Sequence, residues 1–180
     1  MLVRGSYADT VPVQRVLPLA AAGLVALLGL VGCAHSTATS AAKPTRIVQL
    51  SGTSLTGSHI TVPAAHDRIT VVNLWASWCG PCKAEAPALV AARKQLPADR
   101  VDFVGLDERD QNPAGRSFAQ ARGLTYPSIP DPLGTLAARM PGVPPSSLPV
   151  TVVLDRSGAV RWQHVGPVTT AQLVAAASAA

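Results

Sequence analysis

Aromatic residues make up only 4% of this 180-residue chain, although 48% of it is hydrophobic. A core with so few rings must be packed from Ala, Val and Leu, and 180 residues suffice for one domain with one such core. Charged residues are also few, at 14%, and the net charge of +5 is not gathered into a basic run. A nucleic-acid reader needs a clustered basic face, so that class is set aside. Beyond residue 33 the chain holds 13 basic and 9 acidic residues, a balance suited to a soluble domain near an anionic membrane. No internal repeat is present. Cysteine is limited to three residues and histidine to four. None of His35, His59, His66 or His164 stands at ligand spacing from a cysteine pair. A four-ligand zinc site therefore lacks half its donors, and the histidines read as surface residues.

One apolar run stands out near the start. Residues 16–31 carry no charge and follow Arg15 directly. Sixteen residues fall short of the roughly 20 that span a bilayer and suit the h-region of a secretory signal. The run ends Leu30-Val31-Gly32-Cys33, which resembles the lipobox of bacterial lipoproteins. That resemblance implies lipidation of the Cys33 sulfur, cleavage before it and a membrane anchor, with each buried methylene adding about 0.8 kcal/mol. The alternative is an uncleaved anchor helix, and residues 1–14 are a long preface that contains Asp9, so a start near Val11 or Val13 is also open. Either topology places the rest of the chain outside the cytoplasm, where a disulfide can persist. Residues 34–45, mostly Ser, Thr and Ala, read as a flexible tether, leaving 46–180 as the folded domain.

The two remaining cysteines are Cys79 and Cys82, separated by Gly80-Pro81. Ahead of them, residues 69–74 are apolar and β-branched and predict a buried strand, extended to 76. Behind them, residues 84–96 are rich in Ala and Leu and predict a helix. A strand that delivers C-x-x-C to a helix N-terminus is the context of a redox pair, so the expected chemistry is dithiol–disulfide exchange.

Around this unit, residues 46–50 and 58–62 predict an N-terminal hairpin, and 101–106 a second core strand. Asn112 and Pro113 predict the N-cap and first position of a helix that ends at Gly123. A segment from Tyr126 through a short helix near 133–139 comes next, then a proline-rich loop over 141–149. Residues 149–154 and 159–165 predict an antiparallel pair joined by a turn, and Thr169 with Gln172 has the spacing of a capping box for a last helix. The order describes an α/β, three-layer, thioredoxin-like fold: a mixed sheet with helices on both faces, an N-terminal β-hairpin and a short insertion after the second helix.

From about residue 46 onward the chain resembles the TlpA/ResA-like branch of the thioredoxin superfamily, membrane-tethered thiol–disulfide oxidoreductases. The resemblance is carried by Val72-Asn73-Leu74-Trp75-Ala76-Ser77-Trp78-Cys79-Gly80-Pro81-Cys82-Lys83 with Glu85 and Pro87. Tyr126-Pro127-Ser128 with Asp131, and Leu148-Pro149-Val150-Thr151 with Asp155 and Gly158, extend it. It implies that Cys79 attacks as a thiolate favoured by the helix N-terminus and that Cys82 resolves the mixed disulfide. It also implies a cis Pro149 that holds the Leu148 backbone where an extended substrate adds as a strand, with Trp78 shielding the site. Trp75 reads as packing. Classical thioredoxins carry a buried Asp where this chain has Asn73, which cannot hold or return a proton near neutral pH. The resemblance moves that role to Glu85, one helical turn beyond Cys82; the bland alternative is a solvated first-turn carboxylate.

The expected function is reduction or exchange of disulfides in secreted or membrane proteins, as in cytochrome c maturation. No cofactor is implied beyond the Cys79–Cys82 disulfide. Expected partners are protein thiol or disulfide substrates and a membrane redox partner that recycles the dithiol, with the protein a monomer. Reductant, oxidant and isomerase share the motif, so direction stays open. A Cu(I) chaperone is the alternative, with Met140 as an added ligand if its loop folds back to the thiolates. A thiol peroxidase is disfavoured, since no Arg or Thr stands at the usual distance from Cys79.

Overall fold

A computed structural model describes residues 45–47, 49–63 and 67–180. Cys33, His35, His66, the signal segment and all of the tether except Thr45 lie outside the described residues. Among those described, no helix is long and apolar enough to cross a membrane.

The strand that precedes the cysteines is β3 (Ile69–Trp75), and the helix after them is α1 (Gly80–Gln95). Around them run β1 (Leu50–Thr53), β2 (His59–Val62), β4 (Val101–Glu108), α2 (Asn112–Arg122) and β5 (Ser128–Asp131). A 3-10 turn at Ala137–Arg139, β6 (Val150–Leu154), β7 (Val160–Val165) and α3 (Thr170–Ser178) complete the order. Five strands form one sheet in the order β5-β4-β3-β6-β7, with β3 at its centre. β3 is parallel to β4 and antiparallel to β6, so the sheet is mixed. β1 and β2 pair as a separate antiparallel hairpin.

The period-2 alternation of β3 sorts its side chains onto two faces. Val71 and Trp75 join a core with Leu89 and Ala92 of α1, Phe118 of α2 and Leu173 and Ala177 of α3. Val72 and Leu74 face the other way, against Leu50 and Val62 of the hairpin and Ala137 and Met140 beside the 3-10 turn. Among the described residues the three α-helices thus cover one face, and a hairpin with a 3-10 turn covers the second. The expectation of helices on both faces holds only in that reduced form. The handedness of β3-α1-β4 and β4-α2-β5 explains it: successive right-handed parallel crossovers that run the same way along a sheet put both helices on one side.

Several local expectations shift. The first strand lies at Leu50–Thr53 rather than 46–50, and Arg46 instead forms an isolated bridge with Ala159. The N-cap of α2 is Gln111, without a side-chain cap bond, rather than Asn112; Pro113 falls in the first turn and Gly123 ends the helix in the left-handed region. The segment after α2 contributes an unexpected edge strand, β5, parallel to β4. Pro130 within it masks the strand signal, and an edge position is where a strand tolerates proline.

The capping box at the start of α3 is present: Thr169 accepts from the Gln172 amide at 3.2 Å, and the Gln172 side chain accepts from the Thr169 amide at 2.9 Å. Thr169→Ala is expected to cost about 1 kcal/mol, read as a lower urea midpoint with an unchanged slope.

Candidate active site

Cys79 and Cys82 form a disulfide whose Cα atoms lie 5.3 Å apart. Cys79 is the N-cap of α1, and its sulfur accepts from the Cys82 amide at 3.1 Å. Pro81 sits in the first turn, where its missing N–H costs nothing. Helix N-termini leave amide N–H groups unpaired, so negative charge on the Cys79 sulfur is favoured there once the bond is reduced. The two cysteines are similarly covered, at 4% and 2% exposure, so cap position rather than burial distinguishes them.

One helical turn along α1 from Cys82 lies a buried polar cluster. Glu85, on the first part of α1, is 2% exposed. Its carboxylate accepts from the Asn73 amide at 3.3 Å, the Val168 backbone N–H at 3.0 Å and the Thr151 hydroxyl at 3.5 Å. Asn73 also donates to Thr151 at 3.2 Å and accepts from the Tyr126 hydroxyl at 3.2 Å. The antiparallel register sets this up, because Asn73 on β3 stands opposite Thr151 on β6. Burial raises the Glu85 pKa to about 7, working against the bonds from Val168, Asn73 and Thr151, which lower it. Tyr126 is likewise held well above its usual range, by its own burial and then by the Glu85 charge. The bland alternative for Glu85, a solvated first-turn carboxylate, is not what the structure shows.

Trp78, the residue before Cys79, is 57% exposed, and its indole N–H donates to the Arg109 carbonyl at 3.0 Å. Trp75 is buried and stacks on Phe118, ring centres 5.0 Å apart. The Leu148–Pro149 peptide is cis, and Leu148 packs against both core clusters, including the one that holds the cysteines. Met140 is not beside the thiols: it is buried in the cluster on the opposite face of the sheet. The turn Pro141, Gly142 and Val143 continues along that same face rather than folding back. Asp131 serves structure, accepting from the Thr135, Leu136 and Ala137 amides at 2.8–2.9 Å to start the 3-10 turn.

Thr151 and the Val168 amide as partners of Glu85, and Asp107 and Asp110 beside the loop before Cys79, escape a reading of sequence. Strand parity is the available signal. Thr151 stands in the otherwise apolar β6 at a position that points to the helical face, and Asp107 shares the parity of Val101 and Phe103, which face the helices. A cleft of about 820 Å³, lined by His59, Val90, Arg93, Phe103 and Tyr126, opens elsewhere and touches neither cysteine.

The AhpC/TSA family profile matches residues 45–163. The chain belongs to the AhpC/TSA family. The sporulation thiol-disulfide oxidoreductase A of Bacillus subtilis is 30% identical over 120 residues, 65% of this chain and 70% of that protein. The crystal structure of a DsbF homologue from Corynebacterium diphtheriae superposes with a TM-score of 0.70 at 30% identity, covering 77% of this chain and 88% of its own. A secreted thiol-disulfide isomerase from Corynebacterium glutamicum gives 0.68 at 30% identity, covering 73% and 82%. These relatives share the thioredoxin-like fold described above.

A carboxyl group with a raised folded pKa binds a proton more tightly in the native state than in the unfolded chain. Its contribution to stability is full below the unfolded value of about 4.5 and is lost as pH rises through about 7. For Glu85 the loss between pH 4 and pH 8 is about 3 kcal/mol. Glu85→Gln removes that dependence. Denaturant titration of the oxidised proteins should show the wild type losing this margin relative to the variant over the range; parallel curves would contradict it.

Proposed function

We propose that this protein is a thiol–disulfide oxidoreductase that acts outside the cytoplasm on protein disulfides. The observation that carries this reading is the Cys79–Cys82 disulfide at the N-terminus of α1, with a buried carboxyl of pKa about 7 behind it. In the proposed cycle the reduced Cys79 thiolate attacks a substrate disulfide and forms a mixed disulfide, releasing one substrate thiolate. Cys82, as thiolate, then attacks the Cys79 sulfur, restoring the intramolecular bond and releasing the second substrate thiolate. Two electrons pass from the protein to the substrate.

Glu85 is proposed to take the Cys82 proton during that second attack, directly or through a water, since a carboxyl poised near neutral pH can accept and return it. Asn73, Thr151 and the Val168 amide hold the carboxyl in position and stabilise its charged form. Trp78, exposed next to Cys79, and the backbone at Leu148 and the cis Pro149 are proposed to receive the substrate, as an added extended strand.

The segment before the domain supplies the address. We infer lipidation at Cys33 after cleavage on its N-terminal side, with 34–45 as a tether between membrane and domain. The secreted relative from Corynebacterium glutamicum supports extracytoplasmic action. A membrane redox partner would recycle the dithiol, and cytochrome c maturation is the proposed setting.

Cys79→Ser should abolish reduction of insulin disulfides, a loss of at least a hundredfold in rate; activity retained in that variant would contradict the mechanism. Direction is read from the Cys79–Cys82 reduction potential. A value near the −270 mV or so of thioredoxin is expected, and one near about −120 mV would make the protein an oxidant.

A further inference from the structure

A pair of acidic side chains, separate from Glu85, lies beside the loop that leads into the redox pair. Asp107, on β4 opposite Trp75 in the parallel register, is 1% exposed, and neither carboxyl oxygen receives a hydrogen bond from a donor group. Its neighbour is the Asp110 carboxyl, close enough for a hydrogen bond that exists only when one of the two carries a proton. α2 presses its backbone onto this site at Gly115, where a Cβ would stand 2.0 Å from the Asp107 Oδ2, so the carboxyl has no room to turn away.

Asp110 reaches back to the redox centre. Its Oδ2 accepts from the Ser77 backbone N–H at 2.5 Å, and its Oδ1 accepts from the Gln111 N–H at 2.7 Å. One residue before it, the Arg109 carbonyl holds the Trp78 indole. The loop that leads into Cys79 is therefore pinned from outside at two consecutive residues, Ser77 and Trp78. Of these pins, the one on Ser77 depends on where the Asp110 carboxylate points.

We propose that Asp107 and Asp110 hold one proton between them, and that this shared proton positions the loop before Cys79. With the proton on Asp107, its O–H donates to Asp110, which stays charged and keeps Ser77 in place. Without it, two carboxylates face each other with the Asp107 one shut away from water, and like charges at such range do not both persist. Asp110 is the half-buried member and is free to swing toward solvent, releasing Ser77.

Among the described residues, no cation relieves the pair. Arg109 is engaged with Glu108 at 3.5 Å and with Ser146, on the opposite face, and Arg116 of α2 donates to the Leu55 carbonyl at 3.2 Å. In register with Asp107, β3 presents Trp75 and β5 presents Pro130, both neutral. Burial and then the Asp110 charge raise the Asp107 pKa to about 8, in keeping with a proton retained through neutral pH. Asp110 is lowered, its bonds to Ser77 and Gln111 outweighing its own burial. Asp107 and Asp110 are thus positioning residues. They deepen the function proposed above, and their effect on turnover rests on Cys79 being the attacking thiol.

The test uses the oxidised protein, in which neither cysteine titrates, so it is separate from the catalytic reading. The Ser77 amide shift is monitored by 1H–15N NMR from pH 5 to pH 10. The expected result is one inflection near pH 8 that is lost in Asp107→Asn and retained in Glu85→Gln. Asp110→Asn, which takes away the neighbouring charge and offers an amide N–H that can donate to the Asp107 carboxylate, should move the Asp107 carboxyl 13C titration downward by a pH unit or more. A Ser77 amide that does not respond above pH 7, or an inflection that survives Asp107→Asn, overturns the proposal. So does an Asp107 titration that Asp110→Asn leaves in place.

Discussion

Much of this site depends on keeping one carboxyl group, Glu85, out of water. Fully burying a carboxylate without partners is prohibitive, and fully satisfying it with donors would keep it charged at every relevant pH. Glu85 stands between these limits. One backbone N–H and two neutral side chains contact it, no cation among the described residues does, and its pKa settles near neutral. A lysine or arginine in place of Asn73 would hold the carboxylate in its charged form, and an apolar residue there would remove one of the bonds that lower its pKa and favour the protonated form further. Asn73 is therefore more than the loss of an acidic residue: it is a donor that leaves the proton on Glu85 exchangeable.

That balance constrains three elements at once. The register between β3 and β6 must place Thr151 opposite Asn73, and a slip of β6 by one residue would turn Thr151 to the other face. α1 must seat Glu85 over β3, which Ala86 and Leu89 secure by packing into the same core. The segment before α3 must offer the Val168 amide, and the capping box at Thr169 and Gln172 fixes the chain at the next residue. The Cys79 cap at the start of α1 and the carboxyl farther along it are thus held by the same helix, so sulfur and proton acceptor keep a constant separation.

The redox unit was legible because each of its parts has a local signature. The β-branched run of β3, the Gly-Pro step and the Ala-rich helix are read within a window of some twenty residues. The final capping box and the turn at Gly158 are equally local. What escaped is what long-range pairing decides. Thr151 meets Asn73 only through an antiparallel register 78 residues away. β5 is hidden by Pro130, and the first strand moved toward Gly52 and Thr53 because residues opposite them on β2 supply the partners. Asp107 lies one residue past the strand predicted over 101–106, and its burial depends on α2, with Gly115, closing over it. The side of the sheet taken by α2 likewise comes from the direction of successive crossovers, which no single segment encodes.

Protonation of Glu85 is the property on which the proposed proton transfer stands. A carboxyl 13C titration of selectively labelled oxidised protein, with Glu85→Gln to assign the resonance, measures it without involving the thiols. The structure predicts a midpoint near 7, at which the group can both accept and return a proton. A midpoint near the ordinary 4.5 would leave Glu85 a spectator carboxylate and contradict that role.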